Sequence, residues 1–156
     1  MTRISGPRTV AAVIGALAIG SSLSAQAEVS AKPTTKPWAG CDRGEFCIYE
    51  HPDGTGYYAS MQRGTGNLNA REVFGTRLND KVSAVWNRDD KPWCLYEHAD
   101  TRWNRGHKLL VPSGFKGRID RKRTRDGFGW NNQASGVRKA QLVTPPFSAA
   151  HYECGP

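Results

Sequence analysis

One hexapeptide, met twice, limits this chain more than any other feature. Phe46-Cys47-Ile48-Tyr49-Glu50-His51 returns 47 residues later as Trp93-Cys94-Leu95-Tyr96-Glu97-His98, with four of six positions identical. A second echo, at an offset of 52, sets Leu78-Asn79-Asp80-Lys81-Val82-Ser83-Ala84-Val85 against Trp130-Asn131-Asn132-Gln133-Ala134-Ser135-Gly136-Val137. The echoes run in the same order, so most of the chain is a unit of about 50 residues present in two copies. A period of that size marks a repeated supersecondary module.

Each copy reads as β. Phe46 and Ile48 point one way while Cys47 and Tyr49 point the other, and Trp93/Leu95 with Cys94/Tyr96 repeat the pattern. Further on, Val82, Ala84 and Trp86 alternate with Ser83, Val85 and Asn87. Turn-forming residues separate these runs at Pro52-Asp53-Gly54, Gly64-Thr65-Gly66, Pro112-Ser113-Gly114 and Asp126-Gly127. Room for helix is confined to short turns near Leu68 to Phe74 and Arg118 to Arg125. Two four-stranded modules of this size bury their inner faces as paired sheets, which predicts an all-β Greek-key sandwich.

The first 27 residues stand apart. Arg3 and Arg8 precede an apolar run from Val10 to Leu23, and Ala25-Gln26-Ala27 places small residues where a signal peptidase cuts. Residues 1–27 are therefore read as a signal peptide cleaved near Ala27-Glu28, with secretion by the general route and no membrane contact afterwards. Residues 28–38 are expected to form a disordered leader. A single domain over 39–156 follows, with motif 1 at about 41–88, motif 2 at about 92–143 and a tail at 144–156. The net charge is +8, which falls to +6 without the two signal arginines. Collagen, coiled coil and polytopic membrane protein are excluded, for there is no glycine period, no sustained heptad and no series of long apolar runs.

Export changes how the cysteines read. Cys41, Cys47, Cys94 and Cys154 are an even set bound for an oxidising compartment, so two disulfides are expected. Three pairings exist. Cys41–Cys47 with Cys94–Cys154 is favoured, because Asp42-Arg43-Gly44 can supply a tight turn. The chain-entropy model gives such bridges about 2.4 and 4.3 kcal/mol. Zinc is disfavoured, since no Cys-x2-Cys or paired Cys/His spacing occurs.

Tyr-Glu-His followed by a glycine-rich hairpin, then Asn-Asp/Asn-x-x-Ser leading a strand, twice over, resembles the βγ-crystallin fold. With flanking cysteines and Trp-Cys-Leu-Tyr-Glu, the chain from Cys41 to Val143 resembles secreted peptidase inhibitors of family I36. The chain departs from the hairpin pattern in two places. Gly54 stands where the family has an aromatic, with Tyr57 and Tyr58 as substitutes, and the second hairpin, through Trp103 to Gly106, is longer by about two residues. The last serine of the crystallin calcium signature is Ala84 in one copy and Gly136 in the other.

The resemblance implies two calcium sites, built from Asn79, Asp80, the Lys81 carbonyl and Ser83, and from Asn131, Asn132, the Gln133 carbonyl and Ser135, with oxygens near Glu50 and Glu97. Calcium wants six to eight oxygens and tightens with carboxylate count, yet the first signature offers only Asp80 and the second none. Lys81 and the positive net charge oppose a cation as well. The residues admit a structural role too, with Asn79 and Asn131 capping loops and Ser83 and Ser135 pinning the fold. No cofactor is required, and calcium binding would be weak, in the sub-millimolar range.

Nothing points to catalysis. Gly-x-Ser-x-Gly, His-Glu-x-x-His and P-loop patterns are all missing from the sequence. His51 and His98 are repeat equivalents, and so are Glu50 and Glu97, which makes them servants of the module rather than an acid pair. Positive charge is densest at Lys116, Arg118, Arg121, Lys122, Arg123 and Arg125. That run is a solvated loop or a patch for an anionic partner. Nucleic acid is not expected, because no stacking aromatics accompany it.

Two functions follow. One is non-covalent occlusion of an extracellular (metallo)peptidase cleft by a monomer, with Cys94, Leu95 and Trp103 as candidate inhibitory residues. The other is a crystallin-like module for calcium, the cell envelope or a glycan, or an antimicrobial toxin-like role, with Trp38 and Trp103 exposed.

Overall fold

The computed structural model describes residues 31–69, 78–99, 105–146 and 148–155. The expected signal peptide lies outside them, as does Trp103. Ten strands and no helix occur among the described residues: β1 (Lys32–Thr34), β2 (Phe46–Tyr49), β3 (Gly56–Met61), β4 (Ala84–Asn87), β5 (Trp93–Tyr96), β6 (Lys108–Val111), β7 (Lys116–Arg118), β8 (Gly136–Lys139), β9 (Gln141–Val143) and β10 (His151–Glu153). The repeated hexapeptide supplies the middle strand of each sheet. One sheet runs β1-β3-β2-β4-β7 and the other β6-β5-β8, while β9 and β10 form a separate hairpin.

The first copy does not complete its sheet alone. β7 comes from the second copy yet pairs with β4 of the first. In return Thr65 of the first copy bridges Val137 in β8. The exchange extends to matched residues: Ile119 N–H donates to the Ser83 carbonyl at 2.9 Å, and Leu68 N–H to the Ser135 carbonyl at 2.8 Å. This is Greek-key wiring, in which a later strand returns beside an earlier one.

The core lies between the sheets. Phe46, Ile48, Val85, Trp93, Leu95, Val137, Leu78 and Trp130 are all buried there. The equivalent rings of Phe46 and Trp93 stack with centroids 4.8 Å apart, so the two copies meet through the same position of the repeat. Each such side chain contributes about 1.5–3 kcal/mol when fully buried. The opposite faces of β2 and β5 carry Cys47/Tyr49 and Cys94/Tyr96, and each face is closed by its own disulfide, Cys41–Cys47 or Cys94–Cys154. The favoured pairing is the one that forms.

Four expectations need correction. The leader is not wholly disordered: Lys32–Thr34 pairs with β3, and Trp38 is half-buried against Tyr49 and Trp86 instead of exposed. No helix forms over Arg118 to Arg125, because Lys116–Arg118 is drawn into the first sheet and Ile119 is buried after it. Val82 does not share a face with Ala84. The strand begins only at Ala84, so Val82 joins the inter-sheet core and Ala84 the outer cluster. The second hairpin is three residues longer than the first, since Tyr96 pairs with Lys108 where Tyr49 pairs with Tyr58.

The join between copies is bonded throughout. Asn87 Nδ2 lies 2.9, 3.2 and 3.0 Å from the carbonyls of Lys91, Val111 and Pro112. Asp89 accepts from Trp93 Nε1 at 3.0 Å and pairs with Lys139 Nζ at 2.7 Å.

Candidate functional site

The two polar signatures cross between copies. Ser135 Oγ donates to Asp80 Oδ1 at 3.0 Å, and Ser83 Oγ to Asn132 Oδ1 at 3.4 Å. Asp80 and Asn132 both take left-handed backbone angles, φ 52° and 55°, so the two turns match as well as the two strings do. The Asp80 carboxylate and Ser135 hydroxyl fit the oxygen chemistry of a hard cation, and the buried Asn79 Oδ1 beside them has no hydrogen-bond partner among the described residues. The Asn132/Ser83 corner offers no carboxylate. Asn131, Gln133 and Lys81 are exposed.

Glu50 and Glu97 spend their carboxylates elsewhere. Glu50 Oε2 accepts from Tyr57 N–H at 3.0 Å, and Glu97 Oε2 from His107 N–H at 2.8 Å. Each carboxylate folds over a glycine at or just before the returning strand, Gly56 (φ 81°) or Gly106 (φ 72°). A Cβ there would lie 2.7 Å from the His51 ring or 2.8 Å from the His98 ring, so only glycine fits beneath the histidine lid. Both repeat histidines are thereby structural. In the second copy His107 replaces Tyr57 and ties two acids together, with Nδ1 at 2.9 Å from Glu97 and Nε2 at 2.8 Å from Asp126. Its ring stacks on Phe128, with centroids 3.9 Å apart. The Asp126 bond, followed by the Glu97 bond, raises the His107 pKa above the ordinary histidine value.

Cys94 and Leu95 are not available to a partner. Both are fully buried in β5, the middle strand of its sheet, which corrects their reading as inhibitory residues. Three cations of the basic run already have partners. Lys116 Nζ lies over the Trp86 ring at 4.0 Å and the Trp38 ring at 5.0 Å, Lys122 lies over Phe115, and Arg118 pairs with Asp120 at 2.6 Å. Arg121, Arg123 and Arg125 remain exposed on the turn after β7.

A further loop stands out at the Cys41–Cys47 turn. Asp42-Arg43-Gly44 is exposed and closed at its base by Cys41–Cys47. Gly44 N–H donates to the Arg88 carbonyl at 2.9 Å, Arg88 N–H to the Glu45 carbonyl at 2.8 Å, and the Arg88 guanidinium to the Cys41 carbonyl at 2.6 Å. Glu45 Oε2 accepts from Asp42 N–H at 2.9 Å. The backbone is thus held at both ends while the Arg43 side chain faces solvent. Cys41, Glu45 and Cys47 also lie within 4.8 Å of one another, but their sulfurs are joined, which leaves no thiolate for a metal.

Against known proteins, residues 34–109 match the model of peptidase inhibitor family I36. The matched stretch begins at the last residue of β1 and holds all of motif 1, the Asp42–Gly44 loop and the central strand of the second sheet. Among solved structures, one described under the evolution of the eye lens βγ-crystallin domain fold is 17% identical, with a TM-score of 0.51, covering 67% of this chain and 94% of its own. A βγ-crystallin from Ciona intestinalis is 16% identical, with a TM-score of 0.46 over 62% of this chain and 99% of its own. An archaeal βγ-crystallin is 19% identical, with a TM-score of 0.45 over 63% and 99%. No curated protein sequence matches the chain. The fold is that of a βγ-crystallin domain.

Proposed function

We propose that this βγ-crystallin-type chain, which resembles peptidase inhibitor family I36, is a secreted inhibitor of extracellular metallopeptidases. It occludes the catalytic cleft without turnover, and the Asp42–Gly44 loop carries the contact. The family match over residues 34–109 is the observation that carries the reading. The loop supports it physically. A segment already held by a disulfide and by backbone bonds to Arg88 loses little freedom on docking, so more of its contact energy appears as affinity. Its single long exposed side chain, Arg43, is suited to a subsite pocket, as arginines are enriched among residues that dominate interfaces.

The test is a titration of the oxidised protein against a thermolysin-type enzyme. The expected result is stoichiometric loss of activity at sub-micromolar concentration, roughly the range of standard-size protein complexes. Full residual activity at excess protein rejects the reading for that class. Arg43→Ala should weaken inhibition about tenfold or more with an unchanged melting temperature. An unchanged inhibition constant in that variant moves the contact off this loop.

A second reading, weak calcium binding at Asp80 and Ser135, is favoured by their bond across the copies and the unpartnered Asn79 Oδ1. Asp80 would supply the carboxylate and Ser135 and Asn79 neutral oxygens. Millimolar calcium should then raise the melting temperature, and Asp80→Asn should remove the rise. No heat and no thermal shift at that concentration rules the cation out.

A further inference from the structure

Duplication makes each sheet a control for the other, and one corner differs in its chemistry. In the first sheet, Cys47 pairs with Trp86 on the outer face and Phe46 with Asn87 on the core side. In the second sheet the same positions hold Arg138, opposite Cys94, and Lys139, opposite Trp93. The residues that follow β6 are Pro112, Ser113 and Gly114, and their counterparts after β3 are Gln62, Arg63 and Gly64. In the first sheet the Trp86 ring and its Lys116 partner fill this corner. In the second, Gln62, Arg63, Gly64, Tyr96, Arg138, Lys139 and Gln141 line an open pocket of 380 Å³.

The pocket has a floor and walls. Tyr96 is buried at its base, with the hydroxyl donating to the Gly155 carbonyl at 3.1 Å. Gly64 lets one wall close in, for a Cβ there would stand 2.4 Å from the Val137 carbonyl and 2.6 Å from Arg138 Cα. Among the described residues, three cations and two carboxamides line it and no carboxylate does; the nearby Asp89 is bonded to Lys139 from the buried side. Arginine forks recognise carboxylate and phosphate with two parallel bonds, and carboxamides bond hydroxyls by donating and accepting.

We propose that this corner of the second sheet is a binding site for an anionic sugar, a hydroxylated ring of roughly pocket size bearing a carboxylate or a phosphate. Arg63 and Arg138 hold the anion, while Gln62 and Gln141 meet hydroxyls. The site is independent of peptidase inhibition, because the Asp42–Gly44 loop belongs to the outer face of the other sheet.

The experiment is a calorimetric and NMR titration of the oxidised protein with glucuronate, glucose 6-phosphate, inorganic phosphate and glucose. Glucuronate or glucose 6-phosphate should bind, moving the Gly64 and Arg138 resonances, with glucose inert and phosphate weaker than the sugar phosphate. Whichever anionic sugar binds more tightly identifies the source of the charge. Arg63→Gln and Arg138→Gln should each weaken binding about tenfold. Arg63 is exposed, so its variant tests the site even where the Arg138 variant fails to fold. The proposal falls if glucose binds as well as the anions, if phosphate matches the sugar phosphate, or if affinity is lost in Arg121→Gln/Arg125→Gln and not in the pocket variants.

Discussion

Asp89 shows how much a single side chain holds in this protein. Burial pushes its carboxyl up, but bonds from Lys139 Nζ, Trp93 Nε1 and the Lys91 N–H outweigh burial and hold its pKa at about 2. A carboxylate with a depressed pKa stabilises the fold above the unfolded value near 4, and that contribution is lost as the pH falls towards 2. Asp89→Asn should therefore flatten the acid limb of the stability curve, read as the unfolding midpoint between pH 5 and 2. Asp89→Ala leaves Trp93 Nε1 unpaired beside an unneutralised Lys139, and should cost about 2–4 kcal/mol by denaturant unfolding at neutral pH. A loss under half of that in the alanine variant would mean that the join is held mainly by Asn87.

Among the elements, the second hairpin carries a latch that the first lacks. Where Tyr57 stands in copy one, His107 bridges Glu97 and Asp126 and so couples the longer hairpin to the turn after β7. Asp126 itself is held far below the usual carboxylate range, first by His107 and then by Thr124. A histidine with a raised pKa contributes fully below its unfolded value near 6.5, and the contribution disappears as the pH rises through the folded value. The protection factors of the 105–109 amides, exchange rates corrected for intrinsic base catalysis, should therefore fall above neutral pH in the parent protein. Asp126→Asn should bring the His107 titration, followed by NMR, back towards the ordinary value. Gly64 governs the other seam. Gly64→Ala drives a methyl against the Val137 carbonyl and should cost about 1–3 kcal/mol while loosening the Thr65–Val137 bridge.

At the level of the molecule, the exchanged strands make the halves interdependent. β7 closes the first sheet and Thr65 borders the second, so a fragment ending near residue 90 lacks an edge for β4 and a cover for Phe46. Such a fragment should give a dispersionless NMR spectrum, and a folded monomeric half would contradict the exchange. The long disulfide ties the β9–β10 hairpin to Cys94 on β5. Replacing Cys94 and Cys154 by serine should cost about 2–5 kcal/mol, because the bridge closes a long loop in the unfolded chain.

The duplication, the β character of both copies and the disulfide pairing were all legible in residue order. Repeated strings and period-2 alternation are local signals, and a protein that buries alternate residues must display them. Asn79, Asp80, Ser83, Asn132 and Ser135 could be picked out singly, whereas the crossing of Asp80 to Ser135 and of Asn132 to Ser83 could not. It arises from the exchange of strands, a matter of long-range pairing with no trace in spacing. Cys94 and Leu95 look like loop candidates by analogy, and they prove buried because their strand is flanked on both sides. Arg43, Arg63 and Arg138 are ordinary surface arginines in the string. They acquire roles only when a disulfide closes a loop under one and two sheet segments bring the others to the same corner. Residue order prescribes which side chains lie on which face of a strand, and the packing of one copy on the other selects which faces remain open to a partner.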